Sequence, residues 1–101
     1  MEQLYRDNLK LIVLDFINKK PCYGYEIISF VSQRFSVQSN NVYPLLKKMS
    51  QDKLVDYYLT ESAEGAPRKY YKLNPTGQAY YNNLLSSFYQ LYSYLVEDDD
   101  E

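Results

Sequence analysis

Three groups of side chains carry most of the chemistry this chain could perform. Gln38-Ser39-Asn40-Asn41 sets three amides and a hydroxyl directly ahead of the amphipathic run VYPLLKKM, Val42–Met49. Amides pair well with adenine N6 and N7, and residues at a helix start reach base edges in a major groove. Tyr43, Lys47 and Lys48 lie within that run, and Arg68-Lys69 sit in a second basic stretch, PRKYY. Cations and hydroxyls of this kind hold phosphate, which fixes register without carrying sequence information. The chemistry they point to is recognition of double-stranded DNA. Each group also has a plainer use. Ser39, Asn40 and Asn41 are preferred helix caps. Lys47 and Lys48 suit a solvated helix face, Tyr43 could pack as core, and Arg68-Lys69 could be a charged edge that deters strand pairing.

Bond-making chemistry has no such support. The chain holds no His and one Cys, has no Gly-rich phosphate loop, and its acids fall singly outside the C-terminal run. No nucleophile, base and orienting group can be assembled from that set. No enzyme, catalytic residue, cofactor or metal is therefore expected. The lone Cys22 rules out an internal disulfide and fits a reducing, cytoplasmic setting. It reads as a small apolar residue, since no neighbouring cluster would lower its pKa for redox sensing. The longest aliphatic run, Leu11–Leu14, is far too short to cross a bilayer.

The elements that must position these residues follow from periodicity. Tyr5, Leu9, Ile12 and Phe16 share one face of a first helix, widened by Leu11, Val13 and Leu14. Pro21 can open the next helix, whose stripe is Gly24, Ile27, Ile28, Val31 and Phe35. The third helix starts near residues 39–42, since Pro44 is tolerable only in a first turn. It buries Val42, Leu45, Leu46 and Met49, leaving Asn40, Asn41, Lys47, Lys48 and Gln51 largely on the other side. Two short helices joined by a polar link are the parts of a helix-turn-helix.

Val55, Tyr57 and Leu59 then alternate with polar or aromatic neighbours, a strand signal. Glu61–Pro67 is a turn, and Arg68–Leu73 returns as a second strand, with Arg68 and Lys69 at the base of the hairpin. Asn74-Pro75 is a cap followed by a proline at the first helical position. From there Tyr81, Leu84, Leu85, Phe88, Leu91, Tyr92 and Leu95 trace a long apolar stripe to about Val96. Such a helix spans roughly 33 Å, more than a small head can cover, so a second copy is the simplest partner. The reading is α+β, mostly α: a winged helix-turn-helix over 1–74, a dimerisation helix over 75–96 and a disordered acidic tail over 97–101.

The net charge of −2 is unevenly spread. Five of the 13 acids are Glu97–Glu101, so residues 1–96 hold 11 basic and 8 acidic side chains, a net of +3. Charge distribution bears on DNA binding more than the total does. Tyr is abundant, at 13 residues with no Trp; its apolar body and polar tip suit core edges and interfaces alike.

Four segments in this order resemble the PadR family of transcriptional regulators: PCYGYEI (Pro21–Ile27), VYPLLKKM (Val42–Met49), KLV (Lys53–Val55) and PRKYYKLNPTG (Pro67–Gly77). They span most of residues 9–77. The resemblance implies a homodimeric repressor of the compact type, with one C-terminal helix. It also implies a small aromatic effector bound between subunits in some members, beside the last helix; Phe88, with Tyr92 one turn on, occupies that region here, where some relatives carry Trp. Ser39-Asn40-Asn41 stands where relatives often carry a small residue, Gly and Thr, which implies a different operator. The competing class is a winged helix that binds protein without specific DNA binding.

Overall fold

The computed structural model describes residues 1–97. It contains five α-helices and three strands: α1 Glu2–Asp7, α2 Leu9–Lys19, β1 Cys22–Tyr23, α3 Gly24–Phe35, α4 Val42–Gln51, β2 Val55–Ser62, β3 Gly65–Leu73 and α5 Pro75–Glu97, with a 3-10 turn at Ser39–Asn41 before α4. The sheet is antiparallel, in the order β1-β3-β2. This is a winged helix with a long C-terminal helix.

The expected first helix is two helices. Asn8 leaves helical geometry (φ −112°, ψ 18°), and its Nδ2 donates back to the Leu4 carbonyl at 2.9 Å. Short polar side chains compete for local backbone in this way. The break takes Tyr5 off the core stripe: Leu9, Val13, Leu14 and Ile17 are buried, while Ile12 and Phe16 are half-buried. Pro21 does not open a helix. Cys22 and Tyr23 pair with Tyr71 and Tyr70 of β3, and α3 begins at Gly24. There Glu26 Oε1 accepts from the Tyr23 amide at 3.0 Å, satisfying a donor the helix start leaves open. A left-handed Ser36 (φ 58°) ends α3.

α3 and α4 form the helix-turn-helix around a core of Val13, Leu14, Ile27, Val31, Val37, Val42, Leu46 and Met49, each at 1% exposure or less. Leu45 is only half-buried. Pro44 is the third residue of α4, where its missing N–H has no helical partner to lose. Cys22 is fully buried, and that burial pushes its thiol pKa up, away from reactivity.

The hairpin is longer than its turn residues suggested. The strands run to Ser62 and from Gly65, so only Ala63-Glu64 turns. Gly65 supplies the positive φ (131°) that closes the loop, and Pro67 lies within β3. Of the alternating residues Val55, Tyr57 and Leu59, only Val55 is buried, because the ribbon runs off the core.

α5 is fixed at its start. Asn74 Oδ1 accepts from the Gly77 amide at 2.8 Å, and Asn74 Nδ2 donates to the Lys53 carbonyl at 2.8 Å and to Asp56 Oδ1 at 3.3 Å. Tyr81 then packs into the core at 6% exposure. Further along, the stripe is largely bare: Phe88, Leu91, Tyr92 and Leu95 are 43, 57, 57 and 56% exposed. Glu97, expected in the disordered tail, is helical and belongs to α5; the rest of the expected acidic tail, 98–101, lies outside the described residues.

Candidate nucleic-acid interface

The head of α4 carries the amides as the spacing predicts, but it is not capped by them. Ser39, Asn40 and Asn41 form a 3-10 turn, and no side-chain hydrogen bond caps α4. Asn41 Nδ2 instead lies 3.3 Å from Asn40 Oδ1 and 3.5 Å from the Gln38 carbonyl. The 3-10 turn bonds the Asn41 backbone N–H to the Gln38 carbonyl at 3.0 Å and the Val42 N–H to the Ser39 carbonyl, so a backbone carbonyl takes the first donor of α4. Gln38, Ser39 and Asn40 are exposed and Asn41 is half-buried.

Tyr43 is 57% exposed, not core. Its ring borders Gly24: a Cβ there would meet Tyr43 Cε1 at 3.6 Å. Lys47 and Lys48 are exposed, and Lys48 Nζ pairs with Asp52 at 3.2 Å. One of these two cations is thus partly neutralised within its own helix.

The wing separates Arg68 from Lys69. Arg68 pairs with Thr60 and Lys69 with Leu59, in the outer half of the ribbon and not at its base. Successive strand residues point to opposite faces. Arg68 lies over the Tyr23 ring, 4.6 Å from its centroid; the Tyr70 hydroxyl, followed by Tyr23, raises the guanidinium pKa. Lys69 lies on the other face over Tyr57, at 3.9 Å. Arg68 shares its face with Tyr70 and Lys72 on β3, Tyr58 on β2 and Tyr23 on β1. Gly24 follows Tyr23, and the Tyr43 ring borders Gly24, so the head of α4 lies close to the Tyr23 end of this face.

Sequence reasoning missed the tyrosines of this face. Tyr25 stacks near Tyr23 (6.4 Å), Tyr23 meets Tyr70 (5.4 Å), and Tyr70 stacks on Tyr58 (5.6 Å, 8° between planes). The period-2 spacing of Arg68, Tyr70 and Lys72 was a usable signal for part of it. Nothing in the sequence marks the two-residue β1 that brings in Tyr23.

Phe88 and Tyr92 share the α5 stripe but not their surroundings. Phe88 lines an open apolar cleft of about 210 Å³ with Leu4, Tyr5, Asn8, Leu11, Ile12 and Phe35. Tyr92, one turn further, lies beyond the head. Among the described residues no group of His, Cys, Asp and Glu could hold a metal, and no helix is long and apolar enough to cross a membrane.

The model of the transcriptional regulator PadR-like family matches residues 13–83. The chain belongs to the PadR-like family. That match holds both helices of the helix-turn-helix, the wing and the Asn74–Gly77 start of α5. Among solved structures, a PadR-like transcription factor from Bacteroides fragilis is 31% identical, with 94% of this chain and 93% of that one covered at a TM-score of 0.79. A Streptococcus transcriptional regulator is 29% identical, with 98% of each chain covered at 0.81. The Bacillus subtilis PadR structure in complex with operator DNA is 23% identical, with 76% of this chain and 47% of that one covered at 0.69; at that identity it shows a shared fold. The PadR-like family is one of transcriptional regulators, not enzymes.

Proposed function

We propose that this PadR-like chain is a sequence-specific DNA-binding repressor, acting in the cytoplasm as a homodimer on a near-palindromic operator. What supports the reading is how three groups are linked: the amides of Gln38–Asn41 lead into α4, Tyr43 in its first turn lies against Gly24, and Arg68 on the wing lies over Tyr23, the residue before Gly24. In this reading Gln38, Ser39, Asn40 and Asn41 read base edges, while Tyr43, Lys47, Lys48, Arg68 and Lys69 hold phosphate. Arg68 and Lys69, on opposite faces of the ribbon, would meet opposite walls of a groove. Residues 1–74 form the DNA-binding head and 75–96 the dimerisation helix, with an acidic tail after it.

The bare stripe of α5 supports the dimer. No charged residue lies between Lys72 and Glu97, so two copies of this helix meet without like-charge repulsion. The Phe88 cleft, continuous with that stripe, is where a small aromatic effector would sit. Its apolar walls suit such a compound.

Selection of bound duplexes from a random library tests the whole reading. The expected product is an inverted repeat whose half-site centres are ~34 Å apart, one helical turn. A pool with no shared sequence, or no retained duplex at low salt, overturns it in favour of a protein-binding winged helix.

A further inference from the structure

The tyrosine ladder on the wing face has a geometry of its own. Four rings, Tyr25, Tyr23, Tyr70 and Tyr58, follow one another across α3, β1, β3 and β2. Tyr23 and Tyr70 have neighbours on both sides, and the Arg68 guanidinium lies over Tyr23 as well. Tyr23 and Tyr70 are half-buried in the row, which leaves less open ring face for bases to stack on. Tyr25 and Tyr58 end the row at 67 and 42% exposure. Exposed aromatics that packed only for stability would be expected to turn their hydroxyls to bulk water on an isolated patch. These form a row that includes Tyr23, whose neighbour Gly24 lies against the Tyr43 ring at the head of α4.

We propose that this ladder is an uncharged phosphate-contact strip, along which the DNA backbone runs between the recognition helix and the wing. The proposal rests on the DNA-binding reading above and adds the groups that would do the holding. A phenol hydroxyl donates a hydrogen bond and carries no charge near neutral pH. Hydroxyl side chains, Tyr among them, are regular phosphate donors. Few cations are available to it: Arg68 and Lys72 on the same strand face, and Lys47 and Lys48 on α4, of which Lys48 is already engaged by Asp52. A neutral strip lets residues 1–96, with a modest net charge of +3, grip a polyanion without a dense basic patch. It also has a signature that cations lack. Hydroxyl contacts release no condensed counterion, so they add affinity without steepening the dependence on salt.

The test is a salt titration of duplex affinity for three proteins: the parent, Y25F/Y58F/Y70F and R68A. Phe keeps the ring and its stacking, and circular dichroism checks that the fold is retained. The triple Phe variant should bind about 10- to 100-fold more weakly at every salt concentration, from three lost hydrogen bonds, with an unchanged log–log slope. R68A should lose affinity and flatten the slope by about 0.9. If the parent binds and the triple variant stays within about twofold of it, the ladder holds nothing and the proposal fails while the DNA reading stands. If the triple variant flattens the slope as R68A does, the contacts are not neutral and the proposal also fails. If the parent binds no duplex, the DNA reading itself is at fault.

Discussion

The Tyr81 hydroxyl donates to Asp15 Oδ1 at 2.5 Å, joining α5 to α2 across 66 residues of sequence. Asp15 also pairs with Lys19 at 3.4 Å, so its carboxylate is held from both sides. The bond pushes the Tyr81 pKa up to about 12, with burial adding to the effect. A raised pKa means the bond stabilises the fold fully below the ordinary tyrosine value of ~10. That contribution is lost as pH climbs from there towards 12. Tyr81→Phe should lower stability by about 1.5–3 kcal/mol at neutral pH, as for a hydrogen bond to a charged group. The difference between parent and variant should vanish between those two pH values. Urea unfolding across that range measures it, and a pH-independent difference would show that packing, not the bond, was lost.

Gly77 is fixed by a different contact in the same joint. A Cβ there would lie 1.9 Å from the Leu54 carbonyl oxygen, and that oxygen already accepts from the Asn74 amide at 3.3 Å. Backbone cannot give way as a flexible side chain can. Gly77→Ala should therefore destabilise by about 3 kcal/mol, at the upper end of overpacking effects. Ala favours helices over Gly by about 1 kcal/mol, so a stabilised variant would show that α5 can move off Leu54. Thermal unfolding decides between the two.

The sequence made local rules legible and left tertiary ones dark. Asn74-Pro75 announced the start of α5 because a cap and a proline act within one turn. Val42, Leu46 and Met49 announced the core face of α4 because burial there follows the helical period. The break at Asn8 was hidden, since apolar spacing continued across it and only a side chain folding back to Leu4 marks it. β1 was hidden because two residues carry no period. The separation of Arg68 from Lys69 follows from strand alternation, but where along the wing they fall depends on the turn. Gly65 and Pro67 both read as turn residues, and only Gly65 closes it. Tyr81 was legible as a stripe residue, while its bond to Asp15 was not, because nothing local links residues so far apart.

Asn41 separates base reading from local support. Its amide lies near the Gln38 carbonyl and Asn40 Oδ1, contacts on the exposed side of the 3-10 turn and easily exchanged for a base edge. In the DNA-reading assignment, Asn41→Ala should relax preference at one operator position, costing ~1–3 kcal/mol there if the contact is bidentate. Stability should change little, because the side chain caps nothing. Binding measured on the operator and on single-base variants gives the answer. Equal losses on every sequence would make Asn41 an anchor of the turn.

The α5 stripe offers the most direct test of assembly. Leu91 and Leu95 lie one turn apart, more than half exposed, and beyond the reach of the head. Neither belongs to the apolar core, whose α5 members end at Leu85, so changing them leaves the core of the head intact. In an isologous interface each substitution counts twice, once per subunit. A fully buried Leu contributes ~1.5–3 kcal/mol, so L91K/L95K removes that apolar burial four times over and sets lysines against lysines. The double variant should be monomeric at micromolar concentration, with the unfolding midpoint of its head nearly unchanged once concentration dependence is removed. Its affinity for an isolated half-site should match the parent's, while affinity for the full inverted repeat falls, since the two heads no longer bind as one. Sedimentation equilibrium beside the two DNA titrations reads all three quantities. A variant that stays dimeric would move the interface off this stripe.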